Sequence, residues 1–246
     1  MAEWFENEEF WEELYPFVFS QERLSDAVWE IEQLLGLVQV TEGKVLDLAC
    51  GPGRHAIELA KHGLHVTGVD QSEYLLAQAR ERARTEGGAI EFIRADMREY
   101  IDPGTFDLVV NLYSSFGYFE TEEEDLLVAE NICESLTDGG VCVIDLRGKE
   151  IVARDFQSAI PHDLEDGSTL ITRHHVLPGW SQLQNEWIHI DEGYARSFEF
   201  TLRLYSGDEL RSLLKDAGFQ TVELFGNLSG HPYDLEAMRL IGVARK

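Results

Sequence analysis

Apolar positions recur at helical spacing over the first forty residues and then change to short continuous runs. In residues 3–38, Trp4, Phe5, Phe10, Trp11, Leu14 and Tyr15 come first and Pro16 interrupts them. A second helix from Ser25 to Leu37 then carries Val28, Ile31, Leu34 and Leu35 three and four positions apart. So many aromatics predict helices that pack on the protein rather than a free tail. From Thr41-Glu42-Gly43 onward, apolar runs at 45–48, 64–69, 90–94, 106–111 and 141–146 alternate with amphipathic stretches at 54–61, 73–85 and 121–136. Strand and helix in alternation predict a parallel sheet with crossover helices.

Residues 148–205 break that rhythm. Runs at 168–177, 182–190 and 196–205, separated by Pro178-Gly179 and Asp191-Glu192-Gly193, read as an inserted antiparallel ribbon or small sheet. Ser206 to Glu209 then forms a capping box for a helix through Leu210, Leu213, Leu214 and Ala217, which Gly218 ends. Runs at 219–225 and 238–245 predict a closing antiparallel hairpin. The expected organisation is a single domain, 1–246. It has helices over 1–40, an α/β core over 41–147 and 206–246, and the β insert over 148–205.

The chemistry concentrates where the first strand meets its helix, in Val45–His55, VLDLACGPGRH. Gly51 and Gly53 let the backbone approach a ligand, and the helix that follows turns its N–H groups and positive dipole end to the same spot. Two ligands compete. The pattern Gly51-x-Gly53-x-x-Ala56, with Asp70 lying 19 residues beyond Gly51, fits a dinucleotide fingerprint. Asp47 inside the strand end, followed by Ala49-Cys50-Gly51-Pro52-Gly53, resembles instead the first motif of class I S-adenosylmethionine-dependent methyltransferases. An acid at that strand end suits the α-amino group of such a cofactor.

The resemblance implies a seven-stranded Rossmann-like α/β sheet, mostly parallel with an antiparallel last strand, an N-terminal helical lid, and S-adenosylmethionine as cofactor. On this pattern Asp47, Ala49, Cys50, Gly51 and Gly53 bind the cofactor, with Asp47 at its α-amino group. Asp70, with Gln71 beside it, offers a forked acceptor to both ribose hydroxyls, with Ser72 free to cap the next helix. Asp96 is implied to bond the adenine amino group, Met97 to pack on the ring or donate its N–H, and Asn111 to end the fourth strand beside the cofactor. From the lid, Tyr15, Phe19 and Arg23 are candidate substrate contacts. Tyr113, Ser114 and Tyr118 are candidates from the run Asn111–Phe119, whose Phe116 and Phe119 fit a pocket wall or the core equally.

That run also narrows the acceptor. It lacks the Pro-Pro of DNA amino-methyltransferases, and none of the three cysteines follows a proline as a cytosine-C5 nucleophile would. The segment resembles small-molecule methyltransferases, and an amine is the leading acceptor. A protein or RNA acceptor, or a catalytically silent cofactor-binding module, are the alternatives. A formal charge of −26 argues against an unaided nucleic-acid partner. The acidic run Thr121–Glu124 is a capping box with no chemistry assigned. His174 and His175 face opposite sides of a regular strand, and with His189 they lack a carboxylate partner set, so no metal is expected. One of these histidines or Tyr194 is a candidate general base. Cys50, Cys133 and Cys142 show no pairing or metal spacing, and the acidic, aromatic N-terminus is unlike a targeting peptide. A cytoplasmic protein without a membrane partner, monomeric or homodimeric, is expected.

Overall fold

The computed structural model describes residues 3–246. After a 3-10 turn, Trp4–Glu6, come helices α1 (Glu8–Val18) and α2 (Gln21–Val38), capped by Asn7 and Ser20. Pro16 does not interrupt the first helix, which runs through it to Val18. Buried Phe10 and Leu14 anchor that helix, and this packing outweighs the one hydrogen bond a proline removes. The break falls at Phe19-Ser20. Ser20 Oγ accepts the N–H of Arg23, so α2 begins at Gln21, ahead of the expected Ser25. Its buried face is Ala27, Ile31, Leu34 and Val38. Val28, expected inside, is 52% exposed beside Trp29.

The core then follows in chain order as β1 (Lys44–Leu48), α3 (Arg54–Lys61), β2 (His65–Asp70), α4 (Glu73–Glu86), β3 (Ile90–Arg94), β4 (Phe106–Asn111), α5 (Glu122–Ser135) and β5 (Leu136–Leu146). β5 begins earlier than its apolar run, because Leu136 pairs with Phe106. Asp138-Gly139-Gly140 lies inside the strand, where the register shifts before Leu108 meets Val141. The insert is α6 (Lys149–Arg154) and four strands, β6 (Ala159–Asp163), β7 (Thr169–Val176), β8 (Gln182–Asp191) and β9 (Tyr194–Arg203). β6 was not expected. It holds Pro161, which only an edge strand tolerates, and β6 is the edge of its sheet. Helix α7 (Gly207–Asp216) and strands β10 (Thr221–Phe225) and β11 (Leu240–Arg245) close the chain.

The main sheet has seven strands in the order β10-β11-β5-β4-β1-β2-β3, and β11 alone runs against its neighbours. Strand order reverses between β1 and β4, which opens a crevice at the carboxyl ends of the strands. One apolar layer packs Leu48, Val109 and Ile144 against α5 and α7. The other packs Val45, Val110 and Val143 against α2 and α3. A third cluster, Phe10, Leu14, Leu170 and Phe198, seats α1 on the inserted sheet.

The insert is also tied to the core by polar contacts. Asp125 of α5, fully buried, accepts from Arg203 Nε at 3.0 Å and from Tyr205 OH at 2.7 Å. Among the described residues, no helix is long and apolar enough to cross a membrane.

Candidate active site

The turn after β1 has the geometry its glycines allow. Ala49, Gly51 and Gly53 are all left-handed, with φ of 60°, 54° and 73°. A Cβ on Gly51 would stand 3.3 Å from the Phe19 ring, so the lid closes directly on this residue. Gly51 N–H donates to Asp70 Oδ2 at 2.7 Å, and Ser72 N–H donates to Asp70 Oδ1 at 2.9 Å. Ser72 caps α4 as expected, but the Asp70 carboxylate is not idle, since each oxygen holds a backbone donor. Burial pushes Asp70 up to about 6 against the pull of those donors.

Glu8, in the first turn of α1, completes the cap of α4. Its Oε1 accepts Glu73 N–H at 3.0 Å. Its Oε2 accepts Ser72 Oγ–H at 2.8 Å and Tyr74 N–H at 3.2 Å.

A cavity of about 450 Å³ occupies the crevice, with three chemically distinct walls. The first is an apolar slot of Val69, Leu75, Ala95 and Met97 with Asp70 and Asp96 at its rim. Both Asp96 oxygens are engaged by Arg98, whose Nε lies 3.1 and 3.0 Å away and whose N–H donates at 2.8 Å. Arg98 also binds Glu3 at 2.6 Å and Glu124 at 2.7 Å, which joins the N-terminal turn to α5.

The second wall is basic. Tyr113 and Ser114 are left-handed non-glycine residues, φ 65° and 61°, and Asp145 holds both. Its Oδ2 accepts Tyr113 N–H at 3.0 Å, its carbonyl accepts Ser114 N–H at 2.9 Å, and its Oδ1 accepts Arg239 Nε at 2.6 Å. The guanidinium carbons of Arg54, Arg23 and Arg239 lie 4.7, 5.8 and 5.8 Å from the Tyr113 ring centre. Arg54 and His55 share Glu30 of α2, with His55 Nε2 at 2.9 Å from its carboxylate. Burial would raise Glu30, but His55 and Arg54 outweigh it and hold the acid at about 2. Arg54 Nη1 is buried without a protein partner.

The third wall is aromatic. Trp4 stacks on Phe200 at 4.7 Å and meets Tyr118 edge-on at 4.9 Å, and Trp187 meets Phe200 at 5.3 Å. Burial pushes the Tyr118 phenol up to about 12.

Twelve of the sixteen residues expected to contact cofactor or substrate meet in this cavity. Ala49, Cys50 and Gly51 come from the turn, and Asp70, Gln71, Asp96 and Met97 from the next two strand ends. Phe19, Arg23, Tyr113, Ser114 and Tyr118 line the remainder. Four do not line it. Asp47 lies beneath the turn, where it accepts the Ala56 N–H and its Oδ2 has no partner; burial pushes it up to about 7. Gly53 faces Ala79 and Phe92. Asn111 is buried and donates to the Leu48 carbonyl at 3.0 Å, locking β4 to β1. Tyr15 packs edge-on against Tyr74 of α4 at 5.9 Å.

Sequence reasoning named Arg23, Tyr113 and Ser114 of the basic wall but missed Arg54 and Arg239. Arg54 carried a signal, a charge in the first turn of a helix whose other faces are buried. Arg239 carried none, since it meets Asp145 across 94 residues of chain.

Residues 45–140 match the family described as a methyltransferase domain. A putative methyltransferase of Geobacillus sp. is 29% identical over 82% of this chain and 84% of its own length. A glycine/sarcosine N-methyltransferase of Halorhodospira halochloris is 25% identical over 82% of this chain and 75% of its own. The crystal structure of an S-adenosylmethionine-dependent methyltransferase from Clostridium acetobutylicum has the same fold, with TM-score 0.79 and 16% identity over 97% of this chain and 98% of that one. Sheet order and this neighbour show the α/β fold, and residues 45–140 within it match a methyltransferase domain. The domain match and the named relatives support a methyltransferase enzyme dependent on S-adenosylmethionine.

Proposed function

We propose that the enzyme transfers the cofactor's methyl group to the nitrogen of a small amine. The observation that carries this is the aromatic wall of Trp4, Tyr118, Trp187 and Phe200 closing one end of a cavity whose other end suits the cofactor. A chamber of this size under a helix and an inserted sheet is of small-ligand scale. Aromatic faces also favour a cationic guest such as an ammonium. The name of the Halorhodospira halochloris relative, a glycine/sarcosine N-methyltransferase, supports the same acceptor class.

In this reading the apolar slot of Val69, Leu75, Ala95 and Met97 takes the adenine, with Asp96 at its edge. Asp70 meets the ribose hydroxyls in place of its present backbone donor from Gly51. The cradle at Gly51, which a Cβ would fill, takes the methionine end, and the unpartnered Arg54 Nη1 leaves room for an anionic group there. The cofactor supplies a methyl carbon already activated by its sulfonium. The chain therefore has to align donor and acceptor and exclude water, which the lid and insert do together.

The test is formation of S-adenosylhomocysteine with glycine, sarcosine, ethanolamine and an amino sugar, read with a mass gain on the acceptor. Methylation confined to peptides or to hydroxyl acceptors refutes the amine reading.

A further inference from the structure

The face that the inserted sheet turns to the cavity is apolar at Leu183, Trp187, Phe200 and Leu202, yet one polar strip crosses it. The strip is His162 on β6, Thr172 and His174 on β7, and Asn185 on β8. Thr172 and Asn185 are each only 4% exposed, so their polar atoms need partners inside the protein. His174 and Asn185 are direct cross-strand partners.

Their hydrogen bonds fix a tautomer. Asn185 Nδ2 donates to the Leu183 carbonyl at 3.1 Å, which turns Oδ1 toward His174. Oδ1 only accepts, so at 2.8 Å the His174 Nδ1 is the protonated ring nitrogen. The neutral ring then keeps its lone pair on Nε2, on a residue that lines the cavity. His162 is held the other way round: its Nε2 donates at 3.2 Å to Thr172 Oγ1, whose own proton goes to the Ile160 carbonyl.

An alkylamine arrives as an ammonium with no lone pair for the methyl carbon. We infer that His174 Nε2 accepts the ammonium proton of the acceptor, with Asn185 as the positioning residue; this rests on the N-methylation reading above. The N–H bond leaves its electron pair on the acceptor nitrogen, and the proton makes His174 an imidazolium. The freed pair forms the N–C bond as the C–S bond breaks with its pair to sulfur. The imidazolium returns its proton to water before the next turnover. The titratable group beside the His174 imidazole is His162 of β6, and Arg23 of α2 lies beside His162. Arg54, Arg147, Arg239, Asp70 and Asp96 line the same cavity.

Imidazole ¹H–¹⁵N spectra of the whole protein with S-adenosylhomocysteine read the tautomer directly, and the pH profile of methyl transfer to glycine and ethanolamine reads the proton transfer. His174 is expected to be Nδ1-protonated with a bare Nε2, and Asn185→Leu to lose that preference. His174→Gln, which keeps a partner for Asn185, is expected to lower kcat at neutral pH by roughly 10²-fold. That loss shrinks as the pH approaches the amine's own pKa, and S-adenosylhomocysteine affinity is unchanged. A protonated Nε2 in the wild type, or a His174→Gln profile parallel to wild type, overturns the assignment of His174 alone. A wild type that methylates no amine refutes the functional reading and the proton transfer with it.

Discussion

Replacing Asp47 by Asn isolates a single buried charge. Asp47 has almost no solvent exposure, one oxygen on the Ala56 N–H and the other without a partner. Burial, with Asp70 nearby, holds its acid at about 7 in the folded chain against an ordinary 3.8. Between those two values the folded state keeps a proton that the unfolded chain has already lost. Stability from this group is therefore complete below pH 3.8 and is lost as the pH rises through 7. At about 1.4 kcal/mol for each tenfold change in proton affinity, the full loss is about 4 kcal/mol. Roughly 2–3 kcal/mol of it falls between pH 5 and pH 8.

Asn at this position still accepts the Ala56 N–H and never ionises. Its amide nitrogen carries a fixed cost that does not vary with pH, so the informative quantity is the change in the gap between variant and wild type. Urea unfolding of both proteins at pH 5, 6, 7 and 8 should show that gap moving in favour of Asp47→Asn by roughly 2–3 kcal/mol. A gap constant over that range would mean that Asp47 ionises freely in the folded protein and refutes the argument.

Three further outcomes follow from the same geometry. Asp70→Ala is expected to weaken S-adenosylhomocysteine binding by roughly 1–3 kcal/mol in a calorimetric titration, and unchanged affinity would remove Asp70 from the site. Arg203→Ala strips a partner from the fully buried Asp125 and should cost about 3 kcal/mol in denaturant unfolding, a loss that Asp125→Asn in the same chain partly restores. Thr121→Ala should cost about 1 kcal/mol through the cap of α5 and leave cofactor affinity untouched, because the reciprocal acid, Glu124, lies in that cap and not at the cavity.

The parallel strands were legible because strands covered on both faces are written as short apolar runs, as in Leu108–Val110 and Val141–Ile144. Caps were legible because Ser72, Thr121 and Ser206 act on the backbone three residues away. The Asp70, Asp96 and Gly51 cluster was legible because the sheet order brings successive strand ends together. What escaped depended on distant chain. Whether Asp47 faced the cavity or the helix behind it was decided by the path of α3, and the reach of Tyr15 was decided by α4. The Arg54–Glu30 pair needed the packing of α2 on α3, and β6 needed a sheet edge to lie against. None of these has a local pattern that a window of sequence contains.

The acid that α1 lends to the start of α4 bears on timing. Glu8 stands where water would otherwise solvate three donors, so the roof is fastened to the floor by the first residues of the helix that follows Asp70. If entry or exit requires α1 to lift, that fastening has to come undone and water has to take its place. Methyl transfer inside the chamber would then be the quick part of the cycle, with the spent nucleoside's departure setting its pace. Glu8→Gln, which keeps the shape and weakens the grip, would make the enzyme faster at saturating substrate and poorer at retaining what it binds.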